Sequence, residues 1–253
     1  MSHRTHLAAL GRAELTLLLR SKANLFNVLI IPVMLVGTMK VVMDQFDLGA
    51  AGLSLGPVMI STAAGIVLLM ALYTPLTSIY VMRREQLILK RLRSGEIADL
   101  TVLLGSAIPV VAVVPVQFTL ISTGITLAAE EGGPRSLHLA FIGIVLGVVL
   151  ITLLAALTTV LARTAENAQV AVLPGMFLLP LTSGTYIPLE VYPHALQEVF
   201  RFFPLTPVTD LVRAGWTGSM TAGQAAVRVV TLLVWITLIA GAANRWFRWE
   251  PRT

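Results

Sequence analysis

The chain has 253 residues, 56% of them hydrophobic and 12% charged, with 18 Lys and Arg against 13 Asp and Glu and no cysteine. Soluble domains carry about 25% charged residues, so the composition excludes an ordinary soluble fold and reads as an integral membrane protein. The lack of cysteine also excludes a disulfide framework, a thiolate metal site and a cysteine nucleophile. A pI near 10.1 would point to nucleic acid in a soluble chain. Here the basic residues flank apolar runs, which is positive-inside patterning, and no nucleic-acid partner is expected.

No repeat or low-complexity tract divides the sequence, and residues 1–253 are read as one all-α transmembrane domain. Residues 1–22 form a polar, basic tail without the apolar core and small-residue cleavage site of a removed signal peptide. Arg4, Ala8, Arg12, Thr16 and Arg20 recur every four residues and share one helical face, while Leu7, Leu10, Ala13 and Leu17 fall on another. This predicts an interfacial helix with leucines toward the acyl region and Arg12, Thr16 and Arg20 toward headgroups; a solvated tail is the plainer alternative. The first span is expected from Ala23 to Met43, interrupted by Pro32, with Lys40 reaching back to the surface. An outer loop, residues 44–55, follows.

Gly56 to Met82 contains no charge and is long enough to cross as a helix, which takes about 20 apolar residues. The third span, about Ala98 to Ala128, carries Pro109 and Pro115 and is expected to be kinked or broken. Glu130 and Glu131 sit in a Gly-Pro turn, where a solvated loop outweighs acid–base chemistry. The fourth span is read from Leu137 to Ala162, and Arg163 to Asn167 as a very short inner loop. A fifth, from Val170 to Thr182, is too short to cross unless it begins near Glu166. Residues 183–224 are broken by Pro188, Pro193, Pro204 and Pro207 among aromatics, which suggests interfacial or re-entrant helices, allowed at membrane depth only when buried in protein. The sixth span covers about Ala225 to Asn244, and Trp246, Phe247 and Trp249 with Arg245 and Arg248 anchor its end. This six-span layout puts 13 of the 18 Lys and Arg on one face, with both termini, and five on the other. The excess makes that face cytoplasmic.

The densest charge cluster, residues 83–97, joins the second and third spans at that face. On a helix, Ile88, Leu89 and Leu92 form an apolar ridge. Arg84, Lys90, Arg91 and Arg93 surround it, and Glu85 lies near the N-terminal end, where the helix dipole favours a carboxylate. Such a helix can dock in a partner's groove; a loop that only sets topology is the alternative. Thr119, Ser122, Thr123 and Thr126 are candidate path-lining residues, or equally helix-packing contacts. Pro75, Pro109 and Pro115 are candidate bend points, or ordinary membrane-helix kinks.

The chemistry missing from the sequence is informative. The only lysines are Lys22, Lys40 and Lys90, and none follows a glycine, so no phosphate-binding loop is present. The four histidines make no His-Glu-x-x-His pair, and no metal site or catalytic residue is expected. Ser183-Gly184 lacks the flanking glycine of a nucleophile turn. The spans show essentially no buried ion pair or carboxylate, which disfavours an ion-driven carrier.

Arg83-Arg84-Glu85 followed by Leu89 to Glu96, and Ile187-Pro188-Leu189-Glu190 with Pro193 and then Phe203 to Pro207, resemble the inner loop and the outer segment of type-2 ABC exporter permeases, in their drug-export branch. The resemblance implies six spans, cytoplasmic termini, an interfacial N-terminal helix, re-entrant helices before the last span, and a multi-pass protein of the plasma (inner) membrane. It also implies a homodimer or heterodimer with a second permease, and two copies of a separate ABC ATPase subunit that would supply ATP and Mg. Glu85 matches the acidic start of the family's coupling helix, and Leu89, Lys90, Arg91 and Leu92 its body. Ser94 to Ile97 departs from the proline-containing turn of many members. The function implied is export of a hydrophobic or amphipathic small molecule. A lipid-modifying intramembrane enzyme and a non-transporting scaffold or immunity protein are the rivals.

Overall fold

The computed structural model describes residues 22–85, 99–128, 132–162 and 164–246. Arg12, Thr16 and Arg20 of the expected interfacial helix, and Ile88, Leu89, Lys90, Arg91 and Leu92 of the expected coupling helix, lie outside the described residues.

The described residues are helical without strands. Helix α1 spans Lys22–Met43, α2 Leu55–Glu85, α3 Asp99–Ala128 and α4 Leu137–Thr158. Two short helices follow, α5 (Ala165–Ala171) and α6 (Leu173–Thr182), then a 3-10 turn (Leu189–Val191), α7 (His194–Phe200), α8 (Thr206–Thr217) and α9 (Ala222–Trp246). Among the described residues four helices are long and apolar enough to cross a membrane: α2, the Ala107–Ala128 part of α3, α4 and α9. Helix α1 contributes a shorter apolar stretch, Val33–Met43.

Two expectations change and one narrows. Helix α3 is unbroken through Pro109 and Pro115, which excludes a break there; local adjustment and neighbouring helices can satisfy the carbonyls that proline leaves free. The fifth span is two helices of seven and ten residues separated at Val172. It does begin early: the Thr164 hydroxyl accepts from the Asn167 N–H at 3.3 Å, a capping bond that draws Ala165 to Asn167 into helix rather than loop. The second span extends to Glu85, so Arg83, Arg84 and Glu85 form its last turn.

At 31 residues, α2 is about 46 Å long, half as long again as a hydrocarbon core of ~30 Å. It is also the most enclosed long helix, with Leu68, Leu72, Leu76 and Tyr80 almost fully buried. A π turn interrupts it at Leu68–Tyr73, just before Pro75. Proline has no N–H and crowds the carbonyl four residues back. The wider turn accommodates this, with the Thr74 N–H bonding the Leu69 carbonyl five residues earlier and the Thr74 hydroxyl donating to the same oxygen at 3.3 Å.

Helix α8 is short, yet nine of its 12 residues are buried, from Thr206 to Trp216. It packs chiefly on α4 and α2, and glycine permits the approach. A Cβ on Gly143 would meet Leu211 Cβ at 3.0 Å, and one on Gly147 would meet Val208 Cγ1 at 3.0 Å. Gly147 lies ten residues into α4, about 15 Å from that helix's start. The beginning of α8 therefore sits near mid-depth of the bundle, and its end returns to the level of Ala140. Gly218, at φ 65°, ends it in the left-handed conformation, and its N–H bonds the Ala214 carbonyl at 2.8 Å.

Gly215 is the tightest of these contacts, because an added Cβ would lie 2.6 Å from Ala140 Cβ and 3.0 Å from the Ala140 backbone nitrogen. Gly215→Ala is expected to cost about 1–3 kcal/mol, since a backbone neighbour cannot swing aside. Thermal unfolding of the purified protein in detergent micelles measures this.

Candidate functional site

The root of the 83–97 segment is fastened to the bundle. Arg84 is 2% exposed, and its guanidinium reaches past the end of α4, donating from Nη1 to the Thr159 carbonyl at 3.1 Å and from Nη2 to the Ala162 carbonyl at 2.6 Å. The last carbonyls of a helix lack intrahelical partners and carry its negative dipole end, so a fork-shaped cation suits the position. Beneath it Val81, Ala162 and Ala168 form a small buried cluster that joins α2 to α5. Arg84 thus faces inward instead of flanking an outward ridge, whereas Glu85 is exposed at the helix end.

About three turns before Arg84, Tyr73 makes a second tie between α2 and its neighbours. Its hydroxyl pairs with the Thr158 hydroxyl at 2.8 Å, and an added Cβ on Gly175 would lie 2.8 Å from its ring. Helices α2, α4 and α6 therefore meet at one side chain.

Between α3 and α4 runs a groove of about 970 Å³, bordered by Pro115, Phe118, Phe141, Ile144 and Val145 and closed by Trp216. Thr119, Ser122, Thr123 and Thr126 all border it. Their hydroxyls add little polarity: Ser122 donates to the Thr119 carbonyl at 3.2 Å and Thr126 to the Ser122 carbonyl at 2.8 Å, both within α3. Of the four, Thr126 also bonds between helices, accepting from Trp216 Nε1 at 3.1 Å. Trp216 also meets Phe118 edge to face at 6.1 Å. The groove is consequently an apolar surface with a few hydroxyls.

At the end of the bundle away from Glu85 lies an ionic network absent from the sequence reading. Arg213 of α8 grips Glu190 of the 3-10 turn, Nη2 to Oε1 at 2.6 Å and Nη1 to Oε2 at 3.2 Å. Asp210, one turn earlier, takes Arg228 Nε of α9 at 3.0 Å and Arg213 Nη2 at 3.6 Å. Asp210, on the short α8 outside the spans, is only 11% exposed, and its partner Arg228 belongs to the spanning helix α9. Burial raises the Asp210 pKa, and the Arg213 and Arg228 guanidiniums work against that rise. The Asp210-x-x-Arg213 spacing, i to i+3 on a helix, was the available signal. Burial pushes the Glu190 carboxyl up, but the bidentate bond and charge of Arg213 outweigh it and hold the group below the ordinary carboxylate range.

These features define a helical membrane bundle with a short buried helix and a groove, and with the start of the segment after α2 rooted in the helix packing. The chain belongs to the ABC-2 type transporter family, whose profile matches residues 2–216. It is a transport domain, an ABC transporter permease subunit, and permeases of this family normally work with an ABC ATPase subunit. No curated protein matches the chain.

Replacing Arg84 by Leu removes the guanidinium donor from the Ala162 carbonyl and leaves Thr159 with only the Ala162 N–H at 3.2 Å; a stability loss of about 1–3 kcal/mol is expected, with faster proteolytic nicking between α4 and α5. Arg84→Lys should recover only part of it, because an ammonium lacks the fork. Glu190 gives a pH signature. Its folded pKa is depressed, so its contribution is complete above the unfolded value near 4.5 and is lost as pH falls through the folded value. The melting temperature of the wild type should fall more steeply than that of Glu190→Gln on acidification from about pH 6 to about pH 3.5. Parallel melting curves would remove this role.

Proposed function

We propose that this chain is the membrane half of an ATP-driven exporter that moves a hydrophobic or amphipathic small molecule out of the cell across the plasma membrane. The observation that carries the reading is the clamp at Arg84. A segment that receives force from a motor must be joined rigidly to what it moves, and residues 86–98 continue directly from a helix fastened to α4 and α5. The sequence holds no phosphate-binding loop, so ATP and Mg belong to a separate ATPase, two copies per complex, paired with this permease and a second one, identical or related. The 86–98 segment and both termini face the cytoplasm in this scheme, in keeping with the distribution of Lys and Arg.

ATP-driven closure of the ATPase pair pushes on the Glu85–Leu92 segment. Through Arg84 the displacement passes to the end of α4, which forms one wall of the groove. Thr119, Ser122, Thr123 and Thr126 on the opposite wall then line a changing path. An apolar groove with sparse hydroxyls suits a greasy cargo better than an ion or sugar, because a strongly hydrated solute would lose its water without replacement partners.

Leu89→Asp combined with Leu92→Asp should abolish co-purification of the ATPase and ATP-dependent efflux from proteoliposomes. Membrane insertion and the amount of permease in the membrane should stay unchanged. Normal efflux in that variant refutes docking through this ridge. Mild extraction of the tagged wild type should bring down an ATPase at one copy per permease.

A further inference from the structure

The pocket around the ionic network has a composition that the transport scheme does not use. Its volume is about 450 Å³, and Glu190, Arg201, Asp210, Arg213, Gln224 and Arg228 supply its polar wall. The acceptors are engaged: both Glu190 oxygens take Arg213, and Asp210 takes Arg228 and Arg213. The donors are not. Among the described residues the exposed Arg201 guanidinium has no hydrogen bond, although its charge reaches Glu190. The Gln224 carboxamide oxygen accepts from the Thr221 N–H and hydroxyl, while its amino group makes no bond. Arg228 uses Nε on Asp210 and Nη1 on the Arg201 carbonyl at 3.4 Å, and Nη2 remains. Three guanidiniums against two carboxylates leave one positive charge, and spare donors surround it.

The surroundings specify what carries the complementary negative charge. Phe202 and Val227, which line the pocket, are 65% and 57% exposed, and Val199 beside them is 55% exposed. Trp235 Nε1 donates to the Phe202 carbonyl at 2.7 Å, and Tyr192, Phe200 and Phe203 stack edge to face in a row. Trp235 lies 13 residues into α9, about 20 Å from its start, so these rings carry the apolar apron from the charges toward mid-depth. A donor-rich, net-positive pocket bordered by an exposed apolar apron fits an anionic head on an apolar body.

We propose that this pocket binds the phosphate of an anionic phospholipid at the membrane face opposite Glu85, with Arg201 as its principal cation and the Gln224 amino group and Arg228 Nη2 as further donors. The phosphate adds the negative charge the cluster lacks, and the acyl chains lie along Phe202 and Val227. Phosphate recognition is shared by a lipid headgroup and by free inorganic phosphate; the apron favours the lipid. The inference does not depend on transport.

The test uses the full-length protein in nanodiscs of mixed phosphatidylglycerol and phosphatidylcholine, with retained lipid counted by native mass spectrometry. Wild type should retain phosphatidylglycerol preferentially, and Arg201→Gln should lower that retention about tenfold, the worth of one charge-assisted hydrogen bond. Arg201→Lys should keep most of it. Arg135→Gln, which removes another exposed arginine near Gly218 at the same end, should change nothing. Melting curves confirm that each variant is folded. Equal retention by wild type and Arg201→Gln overturns the proposal. So does protection of wild type by inorganic phosphate in lipid-free detergent without any preference for phosphatidylglycerol, which would assign the pocket to a free anion.

Discussion

A short helix that begins at mid-depth of a membrane bundle must satisfy every polar backbone group inside the protein, and the packing at one end of this bundle answers that demand for α8. The segment is too short and too polar to lie against lipid, so α4 and α2 enclose it. Enclosure at this depth requires close backbone approach, and Gly143, Gly147 and Gly215 permit it. Hydroxyls complete the seal: Thr206 donates to the Thr182 and Phe200 carbonyls, and Thr209 to the Ser183 carbonyl, satisfying oxygens that leave the helical ladder between α6 and α8.

Helix α4 is in contact with both ends of this arrangement. Its start carries the returning end of α8 at Ala140, and the turn beyond its last residue takes Arg84. Between them it presents one wall of the groove and holds Thr158 against Tyr73. A rigid rod touching each of these elements couples them more directly than any series of loops, because packed helices shift as bodies and resist continuous deformation.

Charge-free runs made the spanning helices legible, since twenty apolar residues have few other stable environments. Clustered prolines in residues 183–224 likewise announced short helices that do not cross. The depth of α8 was not legible: Thr206 to Thr217 mixes Asp210 and Arg213 with small and apolar residues, and only the three-dimensional pairing with Glu190 and Arg228 shows how those charges tolerate burial. Spacing placed Thr119, Ser122, Thr123 and Thr126 on one stretch of α3, but whether their hydroxyls face a cavity or their own backbone depends on geometry. The inward turn of Arg84 was not legible for a similar reason. In a run of basic residues next to a membrane, nothing local distinguishes the one that turns inward to cap a neighbouring helix.

The direction in which Arg84 turns depends on a feature more than two helical turns away. The π turn at Leu68–Tyr73 takes up roughly one residue more than a regular turn, which sets back the azimuth of everything after it by about 100°. Without that offset, the stripe Leu76, Tyr80 and Arg84, now buried on one line, would point around the cylinder toward a different neighbour. The distortion before Pro75 therefore acts as an angular setting: it lets one continuous helix present two unrelated faces, one matched to the core at mid-depth and another matched to the carbonyls at the end of α4.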